Sequence, residues 1–181
     1  KRRDYVEKIF KQSENNIIIL GGATSLYFYN KRVKNKDPHF YSHFVNSKTL
    51  INSSNSLEDE FLEFIENISS KNDIILLYPI PEIGVNLQKK SLRNKLRTYK
   101  YLYSDFLEQN KEVINLFDSI NLPNVYKVFP YKKFCNQEDN TCLTHNNDDF
   151  FFFDGYHPSL TGSKMINELI IEQINRIEKK K

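Results

Sequence analysis

A chain of 181 residues with 39% hydrophobic, 14% aromatic and 27% charged residues has the balance of one globular domain with a full core, and is short for two. No apolar run approaches the length of a membrane-spanning helix, and the basic start Lys1-Arg2-Arg3 is not followed by the apolar stretch of a signal peptide. The net charge of +3 is mixed along the chain and gathers only at the two ends and at Lys31 to Lys36. Lys95, Arg97, Tyr99, Lys100 and Tyr101 come nearest to a nucleic-acid face, but they suit the sides of an amphipathic helix better, so no nucleic-acid partner is expected.

In chain order, Tyr5, Val6, Ile9 and Phe10 have helical spacing over 4–13. Ile17 to Leu20 is a short continuous apolar run and predicts a strand buried on both faces, closed by the turn Gly21-Gly22. Ala23 to Tyr29 opens a helix or an aromatic-rich loop. Residues 31–55 are polar and irregular and read as a long excursion. Ser56 predicts a helix start, with Asp59 as its capping-box partner and Leu57, Phe61, Phe64, Ile65 and Ile68 on one stripe.

Ile74 to Tyr78 predicts a second buried strand, stopped by Pro79-Ile80-Pro81. From Ser91 to about Ile120 the pattern is helical, with Leu92, Leu96, Tyr99, Tyr103, Phe106 and Leu107 on one side. Val125 to Phe129 is a third strand candidate. Phe150 to Phe153 is a short strand or a packed aromatic lead-in. The last helix is expected over Leu160 to Ile177, with Leu160, Ile166, Leu169, Ile170, Ile174 and Ile177 facing the core. Strands alternating with helices predict an α/β layered domain with a mainly parallel sheet.

Cys135 and Cys142 are the two cysteines. A short-range disulfide in an oxidising compartment is favoured over two unpaired loop thiols, because exposed free thiols are reactive. No His/Cys pattern completes a four-ligand zinc site, although His145 lies near, and neither a metal nor another cofactor is expected. His39, His43 and His145 lack a partner at diagnostic spacing.

In a parallel sheet the loops after the strands share one edge. Gly21-Gly22, Pro79 to Pro81 and Asp154 to His157 all follow strand candidates. Asp154-Gly155-Tyr156-His157 sets a carboxylate and an imidazole three residues apart on a tight loop. A carboxylate that orients a histidine base is two thirds of a hydrolytic triad. The same spacing equally suits a turn residue, a packed histidine and Ser159 as a helix cap.

Phe151 to Leu160 followed by Thr161-Gly162-Ser163-Lys164 resembles the last block of SGNH hydrolases, an Asp-x-x-His leading into a helix. Leu77 to Asn86, with its Pro-x-Pro-Glu, resembles the strand and loop of SGNH domains fused to acyltransferase-3 membrane proteins. Ile18 to Leu20 with Gly22 to Tyr29 resembles the segment that stands there for the usual Gly-x-Asn block. The Cys135 and Cys142 pair fits as well, and the resemblance runs over nearly the whole chain.

The resemblance implies a flavodoxin-like three-layer sandwich, as one domain over 1–181. It also implies a periplasmic enzyme that O-acetylates a cell-surface polysaccharide such as O-antigen, its acyl donor delivered by an acyltransferase-3 membrane domain. Asp154 and His157 match the acid and base. The family's Gly-Asp-Ser turn does not occur in the sequence. It is expected on a strand before Lys1, so the chain reads as a domain lacking its first strand, poorly soluble and inactive alone. Ser25 or Thr24 is the alternative nucleophile. Glu82 and Gly22 are candidate site-loop residues, Asn30 is a poor match to the oxyanion Asn, and Tyr27 and Tyr29 are candidate donors or sugar contacts. The competing functions are a secreted esterase, which uses water as acceptor, and a non-catalytic α/β interaction module.

Overall fold

Ile17–Leu20 and Asp73–Leu77 are mainly apolar runs that favour strands, and each is followed by residues that disfavour a longer ladder: glycines after the first, prolines soon after the second. The computed structural model of the chain describes residues 9–10, 12–29, 56–87 and 100–180. Within them, β1 (Ile17–Leu20), β2 (Asp73–Leu77) and β4 (Val125–Val128) form a parallel sheet in the order β1-β2-β4. Ile17 stands opposite Asp73 and Leu20 opposite Leu76, while Ile74 stands opposite Val125 and Leu77 opposite Val128.

Strand alternation assigns the two faces. Ile74 and Leu76 enter a cluster with Ile65 and Ile68 of α2 (Leu57–Ser69) and Phe106, Val113 and Phe117 of α3 (Tyr103–Ser119). Ile75 points to the other face, where Val128 and Ile177 join it and Leu169, Ile170 and Ile174 of α4 (Leu160–Glu178) pack around it. The result is the three-layer α/β/α arrangement. Ser56 caps α2 as its sequence predicts: its hydroxyl accepts from the Asp59 amide, and the Asp59 carboxylate accepts from the Ser56 amide.

Four expectations need correction. Among the described residues β1 pairs only with β2, and Ile19 is 45% exposed. Helix α4 lies over β2 and β4, so the strand is not covered on both faces. The helix expected from Ser91 to Ile120 is interrupted. Tyr101–Leu102 forms β3, which pairs with β6 (Thr141–Cys142) and buries the Tyr101 ring; residues 91–99 lie outside the described ones. The buried stripe of α3 is Phe106, Asn110, Val113 and Phe117, which leaves Leu107 exposed. Leu160 and Ile9, each assigned to a packed helix stripe, are exposed too. Leu160 sits at the very start of α4, ahead of the turns that pack on the sheet. Phe150 to Phe152 is a packed lead-in rather than a strand, with isolated bridges His145↔Phe150 and Phe152↔Pro158, and Phe153 is exposed. Tyr5, Val6, Asn30, Lys31 to Lys36, His39 and His43 lie outside the described residues.

A second, small antiparallel sheet, β3-β6-β5, holds β5 (Cys135–Asn136) against β6, and Cys135 and Cys142 are disulfide-bonded across it. The tip of this hairpin caps a helix distant in sequence. Leu102, the N-cap of α3, offers no side-chain cap. Instead the Ser104 amide donates to Asn140 Oδ1 at 2.8 Å, and the Tyr103 amide donates to the Asn140 carbonyl at 3.2 Å. Asn140 holds φ at +51°, a left-handed conformation that asparagine tolerates.

Asn140→Gly keeps that backbone and its carbonyl bond from Tyr103 but deletes the side-chain cap on Ser104, so it is expected to cost about 1 kcal/mol of stability. Opening the disulfide with Cys135→Ser and Cys142→Ser is expected to cost about 2 kcal/mol. Both are read as falls in the urea midpoint, accompanied by faster hydrogen exchange at Ser104 and, for the disulfide variant, at Tyr103 as well. Unchanged exchange at those two amides would refute the remote cap.

Candidate active site

The carboxyl ends of the parallel strands open on one edge, and the chain returns there through the loop that precedes α4. That loop is folded by Asp154. Its Oδ1 accepts from the Tyr156 amide at 2.7 Å and from the His157 amide at 2.8 Å, an Asx turn that needs no other element. Gly155 at the tip lies against the loop after β2: a Cβ there would stand 2.7 Å from the Val85 nitrogen, and the Gly84 amide donates to the Gly155 carbonyl at 2.9 Å. The far end is pinned at the helix. The Ser159 hydroxyl accepts from the Gly162 amide and donates to the Phe150 carbonyl, and the Ser159 amide donates to Phe151.

With the loop so closed, the remaining carboxylate oxygen, Asp154 Oδ2, meets His157 Nδ1 at 2.8 Å. A carboxylate only accepts, so Nδ1 carries the proton and Nε2 is left with a free lone pair. Burial opposes ionisation of Asp154 and is the largest single effect. The hydrogen bonds from the imidazole and from the Tyr156 and His157 amides together outweigh it and hold the carboxyl below its usual range. The Asp154 side chain is 21% exposed and that of His157 is 64% exposed. The acid is sheltered and the base is open.

His157 borders a cleft of about 420 Å3 whose lining also includes Gly22, Thr24, Ser25, Tyr78 and Glu82. Leu26, Leu77, Pro79, Ile80, Pro130 and Ile166 make its walls largely apolar. The loops after β1 and β2 share this edge, as a parallel sheet requires, and the Asp154 loop, which follows no strand of that sheet, joins them there. Gly22 has φ at +145°, which an L side chain rarely adopts, and a Cβ there would meet open space. Ser25 and Thr24 lie on α1 (Thr24–Tyr29). The Ser25 hydroxyl donates to Asn110 Oδ1, and both residues are buried. That bond commits the Ser25 hydroxyl to α3. Glu82 accepts from Gln109 Nε2 at 3.2 Å, which ties the Pro-x-Pro-Glu loop to the same helix. Among the described residues no serine or threonine hydroxyl is bonded to His157.

Two cleft residues escaped sequence reading. Asn110 also donates to the Phe106 carbonyl, so both the oxygen and the nitrogen of its amide are engaged inside the domain. A polar residue at a core position of an otherwise apolar helix stripe was the available signal. Tyr78 donates to Asp118, and burial, with that carboxylate beside it, pushes the phenol far above its usual range. Nothing in the pattern of the β2 run marks it. His145 stands apart, beside Phe150 and hydrogen-bonded to Thr144.

The family description "SGNH domain (fused to AT3 domains)" matches residues 1–172. The chain belongs to this family. Neither the curated proteins nor the solved structures provide a match. The parallel sheet with helices is that of an SGNH α/β domain, and the family assignment gives the chain an SGNH role associated with acyltransferases.

The lowered pKa of Asp154 gives this SGNH domain a defined acid response. A carboxyl whose native pKa lies below its unfolded value, about 3.9, contributes stability that is fully present above the unfolded value. The contribution is lost as pH falls through the native one. Asp154→Asn is therefore expected to flatten the dependence of unfolding free energy on pH below about 4, measured by urea titration at a series of pH values. Equal slopes in the two proteins would contradict the bonding described for Asp154.

Proposed function

We propose that the SGNH domain transfers an acetyl or similar acyl group to a hydroxyl of a bacterial surface polysaccharide through a serine acyl-enzyme. The observation that carries the reading is the Asp154–His157 pair at the border of the cleft, with Nδ1 held by the carboxylate and Nε2 open. In this reading His157 takes the proton of the attacking hydroxyl and returns it to the leaving oxygen. Asp154 fixes the tautomer and stabilises the imidazolium. The apolar cleft is the acyl pocket.

The nucleophile is a serine outside the described residues. Two features support this. Ser25 is engaged by Asn110. The outer edge of β1 is unpaired among the described residues, and a strand added there in parallel would end beside Gly22, carrying its following turn to the cleft. The acyl donor arrives through an acyltransferase-3 membrane domain, and the domain works in the periplasm. The Cys135–Cys142 disulfide supports an oxidising compartment.

Hydrolysis is the second reading. The 64% exposure of the His157 side chain lets water reach the base as readily as a sugar. The release of acetate from p-nitrophenyl acetate, with and without a glycan acceptor, separates the two.

His157→Ala in the intact protein is expected to lower ester turnover by on the order of 10^3-fold or more while the circular dichroism spectrum stays unchanged. Full activity in that variant would sink the assignment, and a parent protein inert toward acetyl esters would point to a non-catalytic module.

A further inference from the structure

The aromatic run before the Asp154 loop divides between inside and outside. Phe151 and Phe152 are buried, whereas Phe153 is 62% exposed. Isolated exposed apolar side chains are ordinary on protein surfaces. What distinguishes Phe153 is its register. The antiparallel bridge Phe152↔Pro158 places Phe153 directly opposite His157, and the Phe153 amide donates to the His157 carbonyl at 2.8 Å. Residues directly opposed in an antiparallel pair project to the same face, with Cβ atoms roughly 4.5–5.5 Å apart. Both side chains are exposed, so the phenyl ring and the imidazole leave the ribbon on its open side without touching each other.

The cleft lining includes Tyr156, His157 and Pro158 and does not include Phe153. His157 thus borders an enclosed apolar cleft, and the ribbon that carries it bears an exposed aromatic ring outside that cleft. The two surfaces suit two different ligands. A small acyl group fits a cleft of about 420 Å3. A polysaccharide continues in both directions from the reacting unit and needs an open approach. The C–H face of a pyranose packs against the flat face of an aromatic ring while its hydroxyls stay in water.

We propose that Phe153 is the platform on which the acceptor sugar stacks, so that His157 separates an acyl subsite from an acceptor subsite. The inference rests on the acyl-transfer reading. The stacked sugar presents a hydroxyl to Nε2, which takes its proton as the oxygen attacks the acyl carbon of the acyl-enzyme. The bond from that carbon to the serine oxygen breaks, and the proton passes from Nε2 to the serine oxygen. An O-acylated sugar and a free serine result.

The test uses the intact protein with p-nitrophenyl acetate as donor. Methyl β-D-glucopyranoside serves as a cyclic acceptor and sorbitol as an acyclic one. The quantity read is the ratio of transfer to hydrolysis. Phe153→Ala is expected to lower that ratio about tenfold for the glucoside, the upper end of what one aromatic contact supplies. Phe153→Tyr is expected to restore it, and the sorbitol ratio is expected to stay flat. A purely structural role would lower transfer and hydrolysis together and leave the ratio unchanged, which would overturn the proposal. Titrating the glucoside against the Phe153 ring-proton resonances reads the contact without turnover. Ring shifts in a protein that hydrolyses no ester would retain the sugar contact and discard the acyl chemistry. No ring shifts would overturn the platform whatever the turnover.

Discussion

One carboxylate organises the site. Asp154 Oδ1 takes two backbone amides and so makes the loop, and Oδ2 takes the imidazole and so aims it. The two tasks share one side chain, which couples loop folding to base orientation. A glutamate would reach farther and could not close the same turn while bonding Nδ1. An asparagine could keep the turn through its oxygen, but would offer an N–H where the imidazole needs an acceptor. The short Asp-x-x-His spacing is therefore set by geometry: the carboxylate must reach both its own turn and the ring three residues on.

This loop acts at the sheet edge only because other elements hold the surrounding walls. Helix α3 supplies Asn110 to Ser25 and Gln109 to Glu82, and so fixes the loops after both β1 and β2. The start of α3 is in turn held by Asn140 from the disulfide-closed hairpin. A buried, hydrogen-bonded asparagine contributes little net stability, but its amide accepts only one arrangement of its partners. The cleft thus borrows its rigidity from a helix, and that helix borrows its cap from a segment 36 residues further on.

The legible parts of the sequence were those governed by local rules. Ser56 and Asp59 form their capping box because only three residues separate them. Strands β1 and β2 are mainly apolar runs bounded by breakers, and Asp154 and His157 close on each other within one turn. The illegible parts depended on distant partners. Tyr101 has helical neighbours in sequence, yet pairs with Cys142. Asn110 looks like the polar side of a helix, but its partner Ser25 lies 85 residues away. Ile19 reads as core because its run is apolar, but exposure at a sheet edge depends on which strands and helices cover it. Leu107 was misplaced for a related reason: accepting a polar Asn110 into the stripe rotates the buried face of α3.

The contrast between Asp154 and His157 bears on which acceptor the site favours. An enzyme that must exclude water shields its reactive groups, because water competes for any acyl-enzyme. Here the Asp154 carboxylate is sheltered and the His157 imidazole is 64% exposed, so enclosure by the described residues does not keep water out. In the proposed transfer reading, discrimination comes from binding the acceptor, since a sugar held beside Nε2 competes through effective concentration rather than through exclusion. A stacking surface next to the imidazole is the kind of feature that such competition needs. The 62% exposure of Phe153, opposite His157 on the same ribbon, fits a site that selects its acceptor by holding it.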